Sequence, residues 1–388
     1  MIAPAARHPG IDRLRGLAIG LVVLHHLGLR IPLRDSVLAD WLPHRLLAAL
    51  NHNGYEAVFV FFVISGFLIA GHALQRWGDL SRIGLRAFYL RRASRILPLL
   101  LALLAVLSLL HGLGVADYVI HRPGQSLGGA LASALGLYLN RYEGRTGYLP
   151  GNWDVLWSLS IEEAFYLGFP LFCLLARRRW VLVPLLLGLA LSLPWSLASI
   201  DGNEIWKEKA YLPGMAAIAA GVLAALWVRG RPPPQRVAWL LRWAGGMLLA
   251  ALMLAMPWFW RWLHDGVMLL LVSATAVMLV GMSAGGPVAR TVPVRSGVGL
   301  RRWGRLSYEI YLTHMFVVFA VVRLWQASGG NRAAGVLWYV PAGLACLGLG
   351  WLVSAGFTQP VERALRQCWG LSPQGAFKST GARSIREE

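Results

Sequence analysis

The stretch GLAIGLVVLHHLGL, residues 16–29, decides how the whole chain is read. Nine apolar or glycine residues lead into two adjacent histidines, His25 and His26, and Arg7, Arg13 and Arg15 precede them. A basic head and an apolar run resemble a secretory leader. However, no small-x-small cleavage site follows before Arg30 and Pro32, so the run reads as a retained first membrane span. A helical span needs about 20 residues. Further apolar runs of that order lie near residues 55–73, 96–114, 157–175, 180–200, 210–228, 237–257, 266–284, 306–325 and 335–357. Together they predict an all-α polytopic bundle of about ten transmembrane helices. Ser126–Leu139 is shorter and Gly-rich, and reads as an interfacial or re-entrant helix.

Composition supports this and excludes other classes. Of the 388 residues, 57% are apolar and only 14% are charged, and 43 are glycine. A soluble domain carries about 25% charged residues. This chain cannot cover a water-facing surface, which rules out a single soluble domain and a disordered protein. The net charge of +19 comes from 37 basic against 18 acidic residues. Nucleic acid is one partner that such a charge suggests, but the distribution favours membrane topology. With the N-terminus cytoplasmic, 25 Lys/Arg fall on the cytoplasmic side and 11 on the other, as the positive-inside rule requires. The expectation is both termini cytoplasmic, a lipid bilayer as environment and no nucleic acid. A membrane domain would cover 1–360, followed by a partly disordered cytoplasmic tail over 361–388. Cys173, Cys346 and Cys368 form neither a disulfide framework nor a zinc spacing, and no metal is expected. Most of the 18 tryptophans, among them Trp41, Trp180, Trp258, Trp260 and Trp262, fall near span ends as interfacial anchors. Trp153 and Trp157 are candidates to stack on a sugar ring.

Ionisable residues inside spans are costly and point to function. Arg15 and His26 are 11 residues apart, three helical turns plus about 20°, so they share one face, separated by about 16 Å along the axis. His25 is turned about 80° away. A snorkelling arginine and a hydrogen-bonded core histidine would fit the same spacing. Arg91, Arg92 and Arg95 lie in FYLRRASRILP at 88–98. Arg91 and Arg95 share a face able to hold phosphates bidentately, or to meet anionic headgroups. WSLSIEEAFY at 157–166 supplies Trp157, Ser158, Glu162 and Glu163. Adjacent acids do not share a helix face, so only one of the two is expected to turn inward. SYEIYLTH at 307–314 places Tyr308, Tyr311 and His314 three residues apart in a polar stripe.

These blocks, with LRGLAIGLVVLHH at 14–26 and FFVISGFLI at 61–69, occur in order and resemble the integral-membrane acyltransferase 3 family over about residues 12–360. Members are O-acyltransferases of bacterial envelope sugars and some secondary metabolites. The chain is similar to the stand-alone form, without an SGNH-type hydrolase-like domain. The resemblance implies a catalytic role for Arg15 and His26. It also implies an acyl-CoA donor, commonly acetyl-CoA, taken from the cytoplasm as co-substrate with no permanently bound cofactor. Arg91, Arg92 and Arg95 match the basic segment suited to the CoA phosphates. Ser65, Trp157, Ser158, Glu162, Glu163, Tyr308, Tyr311 and His314 are the candidate substrate-binding residues. The acceptor would be a hydroxyl of an envelope or exported glycan or glycoside, and the location the bacterial inner membrane. Phe59 stands where many members carry an aspartate. The expected chemistry has His26 deprotonating the acceptor, or being acylated itself, while Arg15 steadies the donor. A transporter of a lipid-linked sugar or anion is the alternative, but no paired halves with broken helices are visible.

Overall fold

The computed structural model describes residues 8–175, 177–283 and 297–371. Residues 1–7 and the expected disordered tail from Ser372 lie outside them. Among the described residues there are helices and no strands. In chain order they are α1 Pro9–Gly28, α2 His44–His52, α3 Gly54–Trp77, α4 Leu85–Gly112, α5 Leu127–Leu135 and α6 Leu139–Thr146. Then come α7 Gly151–Asp154, α8 Trp157–Leu175, α9 Arg179–Leu191, α10 Leu193–Ala198, α11 Glu204–Lys209 and α12 Tyr211–Gly230. The last are α13 Gln235–Leu263, α14 Gly266–Ser283, α15 Val298–Arg305, α16 Ser307–Ala327, α17 Tyr339–Val353 and α18 Gln359–Cys368.

Helix occupies all ten of the apolar runs. Seven segments are long and apolar enough to cross a membrane: Gly54–Trp77, Leu85–Gly112, Glu204–Gly230, Gln235–Leu263, Gly266–Ser283, Ser307–Ala327 and Gly335–Cys368. The runs outside that set are α1, which carries Asp12, Arg13 and Arg15; α8, with Glu162 and Glu163; and the run that splits into the 13-residue α9 and the 6-residue α10. The Ser126–Leu139 run yields only the nine-residue α5, about 13 Å long and far too short to span. The region expected to begin the tail is helical as far as Cys368.

Local chemistry explains why α1 starts where it does. Pro9 occupies the first turn, where its missing N–H costs nothing, and the His8 side chain accepts the Gly10 N–H. Small residues then set the packing. A Cβ on Gly66 of α3 would strike the Ile218 carbonyl of α12, and one on Gly221 of α12 would strike the Val63 carbonyl of α3. The two backbones therefore touch directly, the approach that membrane helices use when lipid offers no hydrophobic contrast. Gly16 of α1 and Gly304 of α15 do the same for that pair, against the Leu300 and Asp12 carbonyls. α1, α3, α12 and α16 carry the densest buried faces, whereas α4, α13 and α17 turn leucine and tryptophan outward. Trp41, Trp180, Trp258, Trp260 and Trp262 are all exposed, as interfacial anchors should be.

Candidate active site

α1 and α16 run side by side from the arginine-rich end of the bundle, and their facing residues build the site in two levels. At the lower level Arg15 Nη2 donates to Ser307 Oγ at 2.7 Å. At the upper level the His26 and His314 rings lie 5.1 Å apart between centroids. The face shared by Arg15 and His26 is thus turned toward α16 along its length.

The lower level opens into a cavity of about 1890 Å³. Its lining on α1 stops at Arg15 and on α16 at Leu312, and it includes Ser65, Ser158, Glu162, Glu163 and Tyr166 deep inside. Nine arginines and five acids line it. Arg76, Arg302 and Arg363 stand exposed among them, so the basic end forms its mouth. Such a space has room for a large ligand, and its excess of arginine over acid suits an anionic one.

The wall carrying the adjacent acids departs from expectation. Glu162 and Glu163 both border the cavity, Glu162 turned to Ser65 of α3 and Glu163 to Arg92 of α4. Glu162 accepts from Ser65 Oγ at 3.0 Å and from Tyr166 at 3.3 Å, while the Ser65 and Tyr166 hydroxyls are hydrogen-bonded to each other. Glu163 pairs with Arg92 at 3.2 Å, and the Arg92 guanidinium lies over the Tyr166 ring at 3.8 Å. Arg95 lines the same space with no ion pair or hydrogen bond among the described residues. Tyr308 lines it too, its hydroxyl donating to the Ile96 carbonyl at 3.0 Å.

Neither His26 nor His314 borders the cavity. A hydroxyl pair stands between: Tyr311 donates to the Val155 carbonyl at 2.9 Å and accepts from Ser158 Oγ at 2.7 Å. The Tyr311 ring is 6.0 Å from that of His314. The far end of α1 is held by one amide. The Asn51 side chain accepts from Leu33 N at 2.8 Å and donates to Tyr339 at 3.1 Å, and the Asn51 backbone carbonyl takes the His25 Nδ1 proton at 2.9 Å. Arg30 ties the His26 carbonyl at 2.9 Å. Trp157 is not part of the cavity lining. It is buried against Phe62 at 6.1 Å and Tyr55 at 6.4 Å, and Trp153 is wholly buried, so in this conformation neither ring is available to a sugar.

A family profile described as an acyltransferase domain matches residues 8–355. The chain belongs to the acyltransferase 3 family. A provisionally named O-acetyltransferase of Staphylococcus aureus strain COL is 26% identical over 341 residues, 83% of this chain and 52% of its own length. The peptidoglycan O-acetyltransferase of Listeria monocytogenes is 25% identical over 332 residues, 80% of this chain and 49% of its own. An O-acetyltransferase of S. aureus strain NCTC 8325 is 30% identical over 174 residues, 42% of this chain and 24% of its own. The chain spans about half the length, or less, of these relatives. No solved structure matches it.

Several residues of this acyltransferase-family cavity escaped the sequence reading. Arg302 and Arg305 of α15 and Arg363 and Arg366 of α18 join Arg91, Arg92 and Arg95 in the lining. Their spacing of three residues was a usable signal, since it puts each pair on one helix face. Ser307 and Tyr166 sat inside quoted blocks, but only the folded chain shows what they touch. Asn51 carried no sequence signal at all.

Proposed function

We propose that this chain is a multi-pass O-acyltransferase of the bacterial inner membrane. It would move an acyl group, acetyl by family habit, from acyl-CoA to a hydroxyl of an envelope glycan such as peptidoglycan. The observation that carries this reading is the arginine-rimmed cavity that ends at Arg15, with His26 one level beyond. A CoA ester bears several phosphates, and arginine forks hold phosphate bidentately. Arg95, which makes no ion pair among the described residues, and the rim arginines would take them, leaving the pantetheine arm to extend toward Arg15. The excess of arginine at that mouth favours a cytoplasmic orientation under the positive-inside rule, the side where the donor is made. The acceptor hydroxyl would come to His26 from the opposite face.

In this mechanism His26 takes the hydroxyl proton as the acceptor oxygen attacks the thioester carbonyl. Arg15 stabilises the negative charge that develops on the carbonyl oxygen, in a site where water does not screen it. The C–S bond then breaks, and the CoA thiolate leaves with the proton that His26 had taken. A route through an acylated His26 uses the same groups in two steps. In either case the thioester reaches His26 only when the Ser158–Tyr311 hydrogen bond parts.

The test is transfer of radiolabelled acetyl-CoA by membranes holding wild type, His26→Ala or Arg15→Ala at matched expression. Loss of a general base costs about 10²- to 10⁴-fold, so both variants should be nearly silent while wild type labels the glycan. A His26→Ala variant that transfers like wild type would remove His26 from the chemistry.

A further inference from the structure

We infer that His314 is the positioning residue for His26: its bare Nε2, unmatched in this structure, accepts a hydrogen bond from an N–H of the His26 ring in the reacting arrangement and so fixes which nitrogen faces the substrate. This rests on the reading of His26 as the base and names the group that orients it.

Three observations converge. His314 Nδ1 lies 2.7 Å from the Tyr311 carbonyl and 3.2 Å from the Ile310 carbonyl. Carbonyls only accept, so Nδ1 must carry the proton and Nε2 must hold a lone pair. Nε2 lies on the ring edge away from the α16 backbone, is buried, and has no partner among the described residues. A buried acceptor left unmatched forfeits its hydration with nothing in return, so a group that can donate to it is called for. The ring 5.1 Å away across the α1–α16 contact is His26.

His25 is a weaker candidate for the same task. It also has Nδ1 tied to a backbone carbonyl, that of Asn51, and its ring is 5.3 Å from His26. Its Nε2, however, is not among the buried unmatched atoms. A neutral histidine is suited to orient a base in a low-dielectric site, because it fixes the tautomer without adding a buried charge. No proton moves to His314: the hydroxyl proton goes to the free nitrogen of His26 and from there to the leaving thiolate. His314 does not border the cavity, so it acts on turnover rather than on donor binding.

Two substitutions separate this role from a structural one. In His314→Asn the amide can still donate to the Tyr311 carbonyl but reaches no further. In His314→Gln the longer side chain places an acceptor near the position of Nε2. Transfer from acetyl-CoA is measured in membranes of the full chain at matched folded protein, with kcat and KM for acetyl-CoA separated and His26→Ala alongside. The expected result is that His314→Asn lowers kcat about 10- to 100-fold at unchanged KM, the usual cost of losing an orienting partner. His314→Gln should recover most of that loss. The inference is overturned if Asn is active and Gln silent, if both are silent, or if both match wild type while His26→Ala is silent. Full activity of His26→Ala would instead sink the base assignment.

Discussion

Lys209 and Arg95 are two cations inside one bundle, and they have opposite surroundings. Lys209 is fully buried, 2.8 Å from the buried Glu143, hydrogen-bonded to Asp154, and 4.4 Å above the Tyr148 ring. Burial, with Glu208 beside it, holds the Tyr148 phenol up at about 12, so the ring stays neutral over its cation. This knot joins α6, α7 and α11 on the side away from the arginine-rich mouth. Arg95 faces the large cavity, makes no ion pair or hydrogen bond among the described residues, and has Glu362 and Glu309 near enough only for a longer-range attraction. A cation whose field is cancelled by its neighbours is scaffold. A cation that faces a space big enough for a ligand is, on the proposed reading, placed to meet one.

The strongest way to break this contrast is Lys209→Met. It strands the Glu143 carboxylate in the interior, and removing one partner of a buried pair costs about 3–5 kcal/mol. Thermal unfolding of the detergent-purified full chain should fall sharply or folded protein should vanish; normal stability would show that the knot is not structural. Arg92→Ala comes next, because Arg92 belongs to both classes: it is paired with Glu163 yet borders the cavity. It should lower stability by about 1–3 kcal/mol, the cost of an unmatched buried acceptor, and transfer as well. Arg95→Ala should leave the unfolding temperature unchanged and raise the KM for acetyl-CoA about 10- to 100-fold, the worth of one charge-assisted bond of about 1.5–3 kcal/mol. A stability loss with unchanged KM would place Arg95 with Lys209.

The smallest effect is expected at the exposed pair of Asp79 and Arg179, 3.1 Å apart. The Ser81 backbone N–H, then its hydroxyl and Arg179, hold the Asp79 carboxyl below its ordinary range. A depressed carboxylate adds stability above its unfolded value near pH 4 and loses it as pH falls through the lower folded value. With solvent screening, Asp79→Ala should cost only about 0.3 kcal/mol at pH 7 and progressively less as pH falls below about 4, read from unfolding across that range.

How much of this was legible beforehand differs between levels. The ten helical runs were readable because apolar length is a property of consecutive residues. Arg15 and His26 were readable as a pair because helical periodicity alone puts residues 11 apart on one face. The adjacent acids misled the reading for the same reason. On an isolated helix Glu162 and Glu163 point to different sides, and nothing in the sequence says that the cavity would border both. The stacking candidates Trp153 and Trp157 lie packed in the core, since an aromatic near a span end looks the same whether lipid, sugar or protein meets it.

The sequence by itself therefore determined that this is an all-α membrane protein of the acyltransferase 3 family, where its helices run, and which short blocks carry its polar side chains. Each of these rests on hydropathy, charge count or motif order along the chain. Only the tertiary structure decided that Ser307 receives Arg15 and that His314 meets His26. It also decided that Ser158 and Tyr311 stand between the cavity and the histidines, and that arginines from α4, α15 and α18 line one cavity. Those are contacts between residues up to about three hundred positions apart. They depend on how closely glycine lets two helices approach and on how each is rotated about its axis, quantities that no local pattern of residues encodes.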